Sequence, residues 1–370
     1  MLVEILQSDP EINVLGVAND GKQAVQQAHT LKPDVITMDI RMPIMDGFEA
    51  TRRIMQECPT RIIVVSAGVD SPDLKISFNA IKAGALDVIE KPVGIGANFD
   101  AIRERLITQV KLMSEVKVVR QRKQSPDGSS SGGMQAVSGL PSAARTSSFS
   151  AAVSSGLRPA TQTDARNLPP VAGTSGYMRA VSPAILAIGS STGGPAALNV
   201  VLKNLPATLP VPVVIVQHIA PGFTKGLVEW LQGESALPLK IGKQDERIYP
   251  GEVYFAPDDQ HMILQRRGIL GLTQTPKVSF VRPSATVLFD TVAKHYSNQA
   301  VGVVLTGMGD DGAVGLKSIR DAGGYTLAQD QATCIVYGMP KAAVELGAVN
   351  YSLPLKDIPV RLSSVCRAPA

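Results

Sequence analysis

Three stretches of this chain carry side chains that can do acyl chemistry together. In AILAIGSSTGGPAALNVVL, residues 184–202, an apolar run breaks at Gly189-Ser190-Ser191-Thr192-Gly193 and then resumes with helical spacing. This is the G-x-S-x-G arrangement that holds a serine on a tight strand-to-helix turn. Its glycines clear space around a central residue expected in strained backbone geometry. Ser191 is the exposed serine of the pattern. Its hydroxyl should lie over a helix N-terminus, where free N–H groups favour a developing oxyanion. A glycine-rich turn that binds an anion or only reverses the chain is the alternative, although GSSTGG matches neither the dinucleotide nor the P-loop fingerprint. A serine also needs a base. Of four histidines, His218 directly follows the apolar run VPVVIVQ, where residues from different strand ends converge in an open α/β sheet. His29 and His295 fall on helical stretches, and His261, after APDDQ, is a secondary candidate for lining the pocket. The run AVGVVL ends in TGMGDDG, which offers Asp310 and Asp311. One of them should orient the imidazole, with an Asx-turn or helix cap as the plainer reading of either.

A second chemistry is legible near the N-terminus. Asp39 ends the apolar run in DVITMDIRMPIMDG, Ser66 closes the next run, and Lys91 follows 88–90. An acid, a hydroxyl and a lysine past successive strands suit a phosphoryl site, with the carboxylate as acceptor and the other two as donors to phosphoryl oxygens.

Both sets of residues require the same kind of scaffold. Apolar runs at 14–18, 35–38 and 62–65 read as strands and alternate with helical spacing at 24–31, 48–55 and 74–83. A further amphipathic helix is expected over 99–113. Strand and helix in turn imply a parallel sheet covered on both faces. The pattern returns at 184–188, 211–216 and 300–305, with helices at 194–202, 222–231 and 284–296. The stretches 252–255 and 262–265 suggest a small antiparallel insertion. Between the two regions, residues 125–175 are mostly Ser, Thr, Gly, Ala and Pro. Such a stretch buries too little apolar surface to offset its ordering entropy and is expected to be a tether. The expected division is therefore 1–113, a linker over 114–181, and a second domain over 182–366.

Composition narrows the function. At 370 residues with 44% hydrophobic and 4% aromatic side chains, the chain has material for more than one aliphatic core. A net charge of +4 without a basic block is a thin basis for gripping nucleic acid. Cys58, Cys334 and Cys366 are far apart and lack C-x-x-C spacing, which fits a reducing cytoplasm better than a disulfide framework or a zinc site. No apolar run approaches a membrane span, and no signal-peptide pattern opens the chain.

Residues 182–366 resemble the catalytic domain of the CheB family, the chemotaxis protein-glutamate methylesterases and glutamine deamidases. The likeness rests on GSSTGGP at 189–195, QHIAPGFT at 217–224, APDDQHM at 256–262, RPSATVLF at 282–289, GMGDDGAVGL at 307–316 and AQDQATCIVYGMP at 328–340. It implies a doubly wound α/β fold and a triad of Ser191, His218 and Asp311, with backbone N–H groups at Met308 and Thr192 holding the oxyanion and no metal in catalysis. Asp310 stands where Asn is usual and Gln331 where Glu is frequent; an extra carboxylate at 310 would favour a protonated His218. Residues 1–113 resemble a response-regulator receiver with Asp39 at the phosphoacceptor position and Ser66 and Lys91 as switch residues. The resemblance implies methylated chemoreceptors as substrate, a chemotaxis histidine kinase as phosphodonor and Mg²⁺ at the receiver. A flavodoxin-like receiver normally opens with a central strand ending in an acidic pair that binds the metal. Here residues 1–6 read as the helix that follows, so the receiver is expected to lack its first strand. Metal binding and phosphorylation are then in doubt, and Met1 is expected to lie inside a longer reading frame. A non-catalytic response regulator whose second domain only binds a partner is the alternative. A transcription regulator is disfavoured, because no helix-turn-helix or basic stripe is present.

Overall fold

Aliphatic β-branched runs bounded by glycine and polar turns build two parallel sheets. The computed structural model describes residues 1–66, 73–91, 99–116 and 183–367, so most of the expected tether lies outside the described residues. The first part runs α1 (Leu2–Gln7), α2 (Gly21–Leu31), β1 (Val35–Asp39), α3 (Gly47–Glu57), β2 (Arg61–Ser66), α4 (Asp73–Lys82), β3 (Asp87–Glu90) and α5 (Phe99–Ser114). Asp20 and Asp46 cap α2 and α3, each accepting a backbone N–H at 2.8 Å. The sheet has three parallel strands in the order β1-β2-β3. Ile62 to Val65 in the middle strand are fully buried, whereas Val35, Ile36 and Thr37 on β1 are only partly covered.

The expected strand at 14–18 does not form. A strand is stabilised by its ladder, and this segment has no strand beside it. It lines instead a groove of about 510 Å³ together with β1 and with Leu6, Ala28, Leu31 and Val110. Leu15 and Val17 remain about half exposed.

The second part continues with β4 (Ile185–Ser190), α6 (Gly194–Lys203), β5 (Val213–Gln217), α7 (Thr224–Gln232), β6 (Leu239–Ile241), β7 (Val253–Phe255), β8 (His261–Arg266) and β9 (Ile269–Thr273). It ends with α8 (Ala285–Tyr296), β10 (Ala300–Val304), α9 (Ala313–Asp321), β11 (Tyr325–Gln329), α10 (Met339–Glu345), β12 (Tyr351–Leu353) and α11 (Ile358–Val365). Seven parallel strands take the order β12-β11-β10-β4-β5-β7-β6. The strands β4, β5, β10 and β11 are buried throughout, as apolar runs covered on both faces should be. The antiparallel insertion is composed differently from the one the sequence suggests. Residues 253–255 pair in parallel with β5 and β6, and the antiparallel partner of β8 is β9. Chain order reverses at β4, which is flanked by β5 on one side and β10 on the other. The crevice past the carboxyl ends of these three strands is where such sheets bind ligands.

Candidate active site

Asp311 is the most firmly held residue of the crevice. It follows β10 and lies at the N-terminus of α8, only 3% exposed. Its carboxylate accepts hydrogen bonds from Ser284 Oγ at 2.6 Å, Ala285 N at 2.6 Å and Thr286 N at 3.2 Å. The fourth bond, 2.9 Å, joins Oδ2 to His218 Nε2. Burial pushes the carboxyl up, but the hydrogen bond and charge of His218, with the donors of Ser284 and Ala285, outweigh it and hold Asp311 down at about 2. Asp310 is exposed and makes no bond to the imidazole, so the added carboxylate does not compete for His218.

His218 stands at the tip of β5, and its backbone N–H bonds Ser190 O at 2.9 Å. Ser191 stands at the tip of β4, next to β5, in a register that pairs Ser190 with Gln217. Asp311 engages Nε2, the ring nitrogen opposite Nδ1. His218 is hydrogen-bonded to Asp311 and not to the Ser191 hydroxyl in this conformation. The strained backbone expected at the serine is not seen there; the positive φ of the turn, +75°, falls on Gly193, where a Cβ would meet Ile335 at 2.7 Å. The N–H groups of Thr192 and Met308 donate to no acceptor among the described residues, leaving both available to an oxyanion. Gly307 lies so close to Ser191 that a Cβ there would come within 2.8 Å of the serine Cβ.

Several positioning residues went unread in the sequence. Gln217, buried at the end of β5, accepts from Ser190 Oγ at 2.6 Å and donates to Ser191 O and His218 O at 2.8 and 2.9 Å. It thereby ties the serine and histidine loops together, and a polar residue closing the run VPVVIVQ was the available signal. Thr306 Oγ1 donates to Thr192 O at 3.0 Å. His261, expected to line the pocket, is fully buried: its Nδ1 accepts from Ser284 N at 3.1 Å and its Nε2 lies 3.1 Å from Pro276 O. It supports the serine that supports Asp311. His29 pairs with Glu57, away from this site.

At the tips of the first sheet, Lys91 Nζ lies 2.6 Å from Asp39 Oδ2, and Arg41 N bonds Oδ1 at 3.2 Å. Ser66 ends the neighbouring strand, buried, and accepts a 3.0 Å bond from Ser77 Oγ on α4. The structure thus brings the acid and the lysine into contact and sets the hydroxyl on the adjacent strand. These residues do not make a magnesium site. The one carboxylate at this point faces a lysine, and no cluster of three or more His, Cys, Asp or Glu able to hold a metal occurs among the described residues, whereas Mg²⁺ calls for an octahedral oxygen set.

A doubly wound sheet whose crevice gathers a serine turn, an imidazole and a buried carboxylate is the architecture of a serine hydrolase, here carried on the same chain as a receiver-like sheet. Residues 186–362 match the CheB methylesterase family, and residues 1–103 the response regulator receiver domain. Protein-glutamate methylesterase/protein-glutamine glutaminase 4 of Myxococcus xanthus is 41% identical over 371 residues, spanning 99% of this chain and 93% of that protein. A Syntrophus aciditrophicus protein-glutamate methylesterase/protein-glutamine glutaminase is 40% identical over 97% of this chain and 92% of its own. The crystal structure of the Thermotoga maritima CheB methylesterase catalytic domain, 41% identical, covers 50% of this chain and all of that one, with a TM-score of 0.48. The chain belongs to the CheB family of protein-glutamate methylesterases/protein-glutamine glutaminases.

Proposed function

We propose that the chain removes methyl groups from glutamate γ-methyl esters, and ammonia from specific glutamines, on chemotaxis receptors. In this reading residues 182–366 are the catalytic domain, 1–113 a regulatory receiver and 114–181 the linker. The observation that carries it is the 2.9 Å bond between His218 and the buried Asp311, beside Ser191 on the neighbouring strand. Ser191 Oγ attacks the γ-carbonyl carbon as its proton passes to His218 Nδ1, and the oxygen gains its negative charge opposite the N–H groups of Thr192 and Met308. The C–O bond to the methoxy group breaks, methanol leaves with the proton from His218, and the acyl group stays on Ser191. Water then attacks the acyl carbon, giving a proton to His218, which returns it to Ser191 as the glutamate carboxylate departs. A glutamine follows the same course with ammonia as leaving group.

Control is assigned to the first sheet. Phe78 on α4 stacks on Trp230 of α7, with ring centroids 5.7 Å apart, and Lys82 pairs with Glu234. Ile335 and Val336, on the loop that packs against Gly193, also pack on the core of β2 and α5. These contacts support a docked state in which the receiver covers the catalytic crevice, and phosphate on Asp39 from a chemotaxis histidine kinase would shift the docking equilibrium. The place of action is the cytoplasm; no helix among the described residues is long and apolar enough to cross a membrane. Methanol release from methylated receptors is the test. Ser191→Ala should lower it by at least a thousandfold, and residues 182–370 alone should be active. A serine-directed phosphonate that fails to label the chain would favour the binding-only alternative, and an inactive fragment would count against occlusion.

A further inference from the structure

A two-residue hairpin beside the crevice holds an aromatic ring out in solvent at a position that disfavours it twice over. Val278 and Val281 exchange both backbone hydrogen bonds, at 3.2 and 3.0 Å. The two residues between them, Ser279 and Phe280, both have left-handed backbones, with φ of +48° and +64°. A turn of this type selects Asn-Gly, because a bulky side chain at positive φ is strained. Phe280 is also 95% exposed, so its ring gains nothing from burial in return. Backbone strain that brings no local benefit collects at sites that meet a ligand.

The hairpin is rigidly mounted on the frame of the active site. Arg282 binds Asp259 and donates to Gln274 O and Thr275 O at 3.0 and 3.1 Å, clamping the hairpin base. The neighbouring Asp258 accepts from Gly222 N at 2.7 Å and Thr224 Oγ1, on the loop that follows His218. On the other side Ser284, four residues beyond the ring, binds Asp311. The loops that carry the imidazole, the carboxylate and Phe280 therefore form one braced unit at the carboxyl ends of the strands, with Met308 also 45% exposed there.

We infer that Phe280 is a substrate-docking residue, which seats on an apolar side chain of the receptor protein beside the reacting ester. This rests on the proposed receptor methylesterase activity and adds to it the surface that selects a protein-borne ester over a small free one. A rigid, exposed aromatic is the residue type that dominates such contacts.

The test compares methylated receptor fragment with p-nitrophenyl acetate, using the full chain. Ser279→Asn with Phe280→Gly relieves the turn and should leave the melting temperature unchanged or raise it. The same variant should raise KM for the receptor about tenfold with kcat within about twofold, while turnover of the small ester is unaffected. Phe280→Leu, which keeps an apolar side chain, should recover most of the receptor affinity. A relaxed variant with wild-type KM for the receptor, or equal losses on both substrates, overturns the inference. Receptor demethylation that survives Ser191→Ala would instead overturn the underlying activity, so the two failures are separable.

Discussion

The seven-stranded and the three-stranded sheets follow the same strand-then-helix pattern, yet β4 is enclosed on both sides while β1 is an edge strand paired on one. Around β4 every neighbour is in place: β5 and β10 pair along its length, and Ile185 to Ile188 are fully buried. Along β1 only β2 pairs, Val35 and Ile36 stay partly uncovered, and the other edge faces the groove beside 12–18. What the first sheet lacks at that edge it recovers at the other end, because one buried apolar cluster runs without a break from Ile54, Ile62 and Phe78 into Trp230, Leu198 and Ile188. The comparison teaches that the catalytic frame is self-sufficient, whereas the receiver-like part takes some of its order from contact with that frame. Communication between the two is then a property of packing, since any change at the Ser66–Ser77 end of α4 is felt where Phe78 meets Trp230.

The largest effect should come from within the closed site. Asp311→Asn keeps the shape but replaces an acceptor-only group that takes four hydrogen bonds, and its amide would drive His218 into the wrong tautomer. A fall of about ten-thousand-fold in kcat for the methyl ester is expected, measured in the full chain and in the fragment alike. A loss smaller than about tenfold would show that the carboxylate is only a cap for α8.

Next comes the joint itself. Phe78 is fully buried, and Phe78→Ala should cost about 3 to 5 kcal/mol in the urea stability of the first sheet. Hydrogen exchange should then show β1, β2 and β3 losing protection while β4 and β10 keep theirs. Equal losses in both sheets would mean that the chain unfolds as one unit and that the contrast drawn above is wrong.

The parts of this design that were legible in the sequence are those encoded by continuous runs. Residues 61–66 and 185–190 announce themselves because both faces of each strand are buried, 35–39 is marked by its apolar run although its strand is only partly covered, and the order of Ser191, His218 and the Asp310–Asp311 pair follows from their places after such runs. The choice of Asp311 came only from resemblance, since it depends on the start of α8, 27 and 26 residues away in sequence, to supply Ser284 and Ala285. Residues 14–18 have the composition of a strand and fail to be one, because pairing is supplied by a neighbour and not by the segment. The three-residue strands Leu239–Ile241 and Tyr351–Leu353 are too short to carry a period. For Val253–Phe255 the sequence marks a strand, while the direction of its pairing is set by the sheet around it.

The smallest of the three effects distinguishes the sheets by pH. Asp87, on β3, is buried, and burial pushes its carboxyl from the usual 3.8 up to about 6, against the opposing pull of the Val88 N–H, the Arg105 charge, the Gly193 N–H and Gln109. Gln109 Nε2 donates to it at 3.2 Å, while Gln109 Oε1, also buried, has no partner; with the amide turned over, Oε1 would accept the proton of a neutral Asp87. Because the folded pKa is raised, the folded state holds more protons than the unfolded one between about pH 4 and 6, so stability must fall as pH rises through that window. The full displacement corresponds to about 3 kcal/mol. Asp87→Asn removes the titration. Urea midpoints of the first-sheet transition should therefore coincide with wild type near pH 4, and the variant should gain by up to about 3 kcal/mol above pH 6. A wild-type curve flat from pH 4 to 6 would mean that Asp87 is ionised in the fold, and that the first sheet carries its buried charge as comfortably as the second carries Asp311.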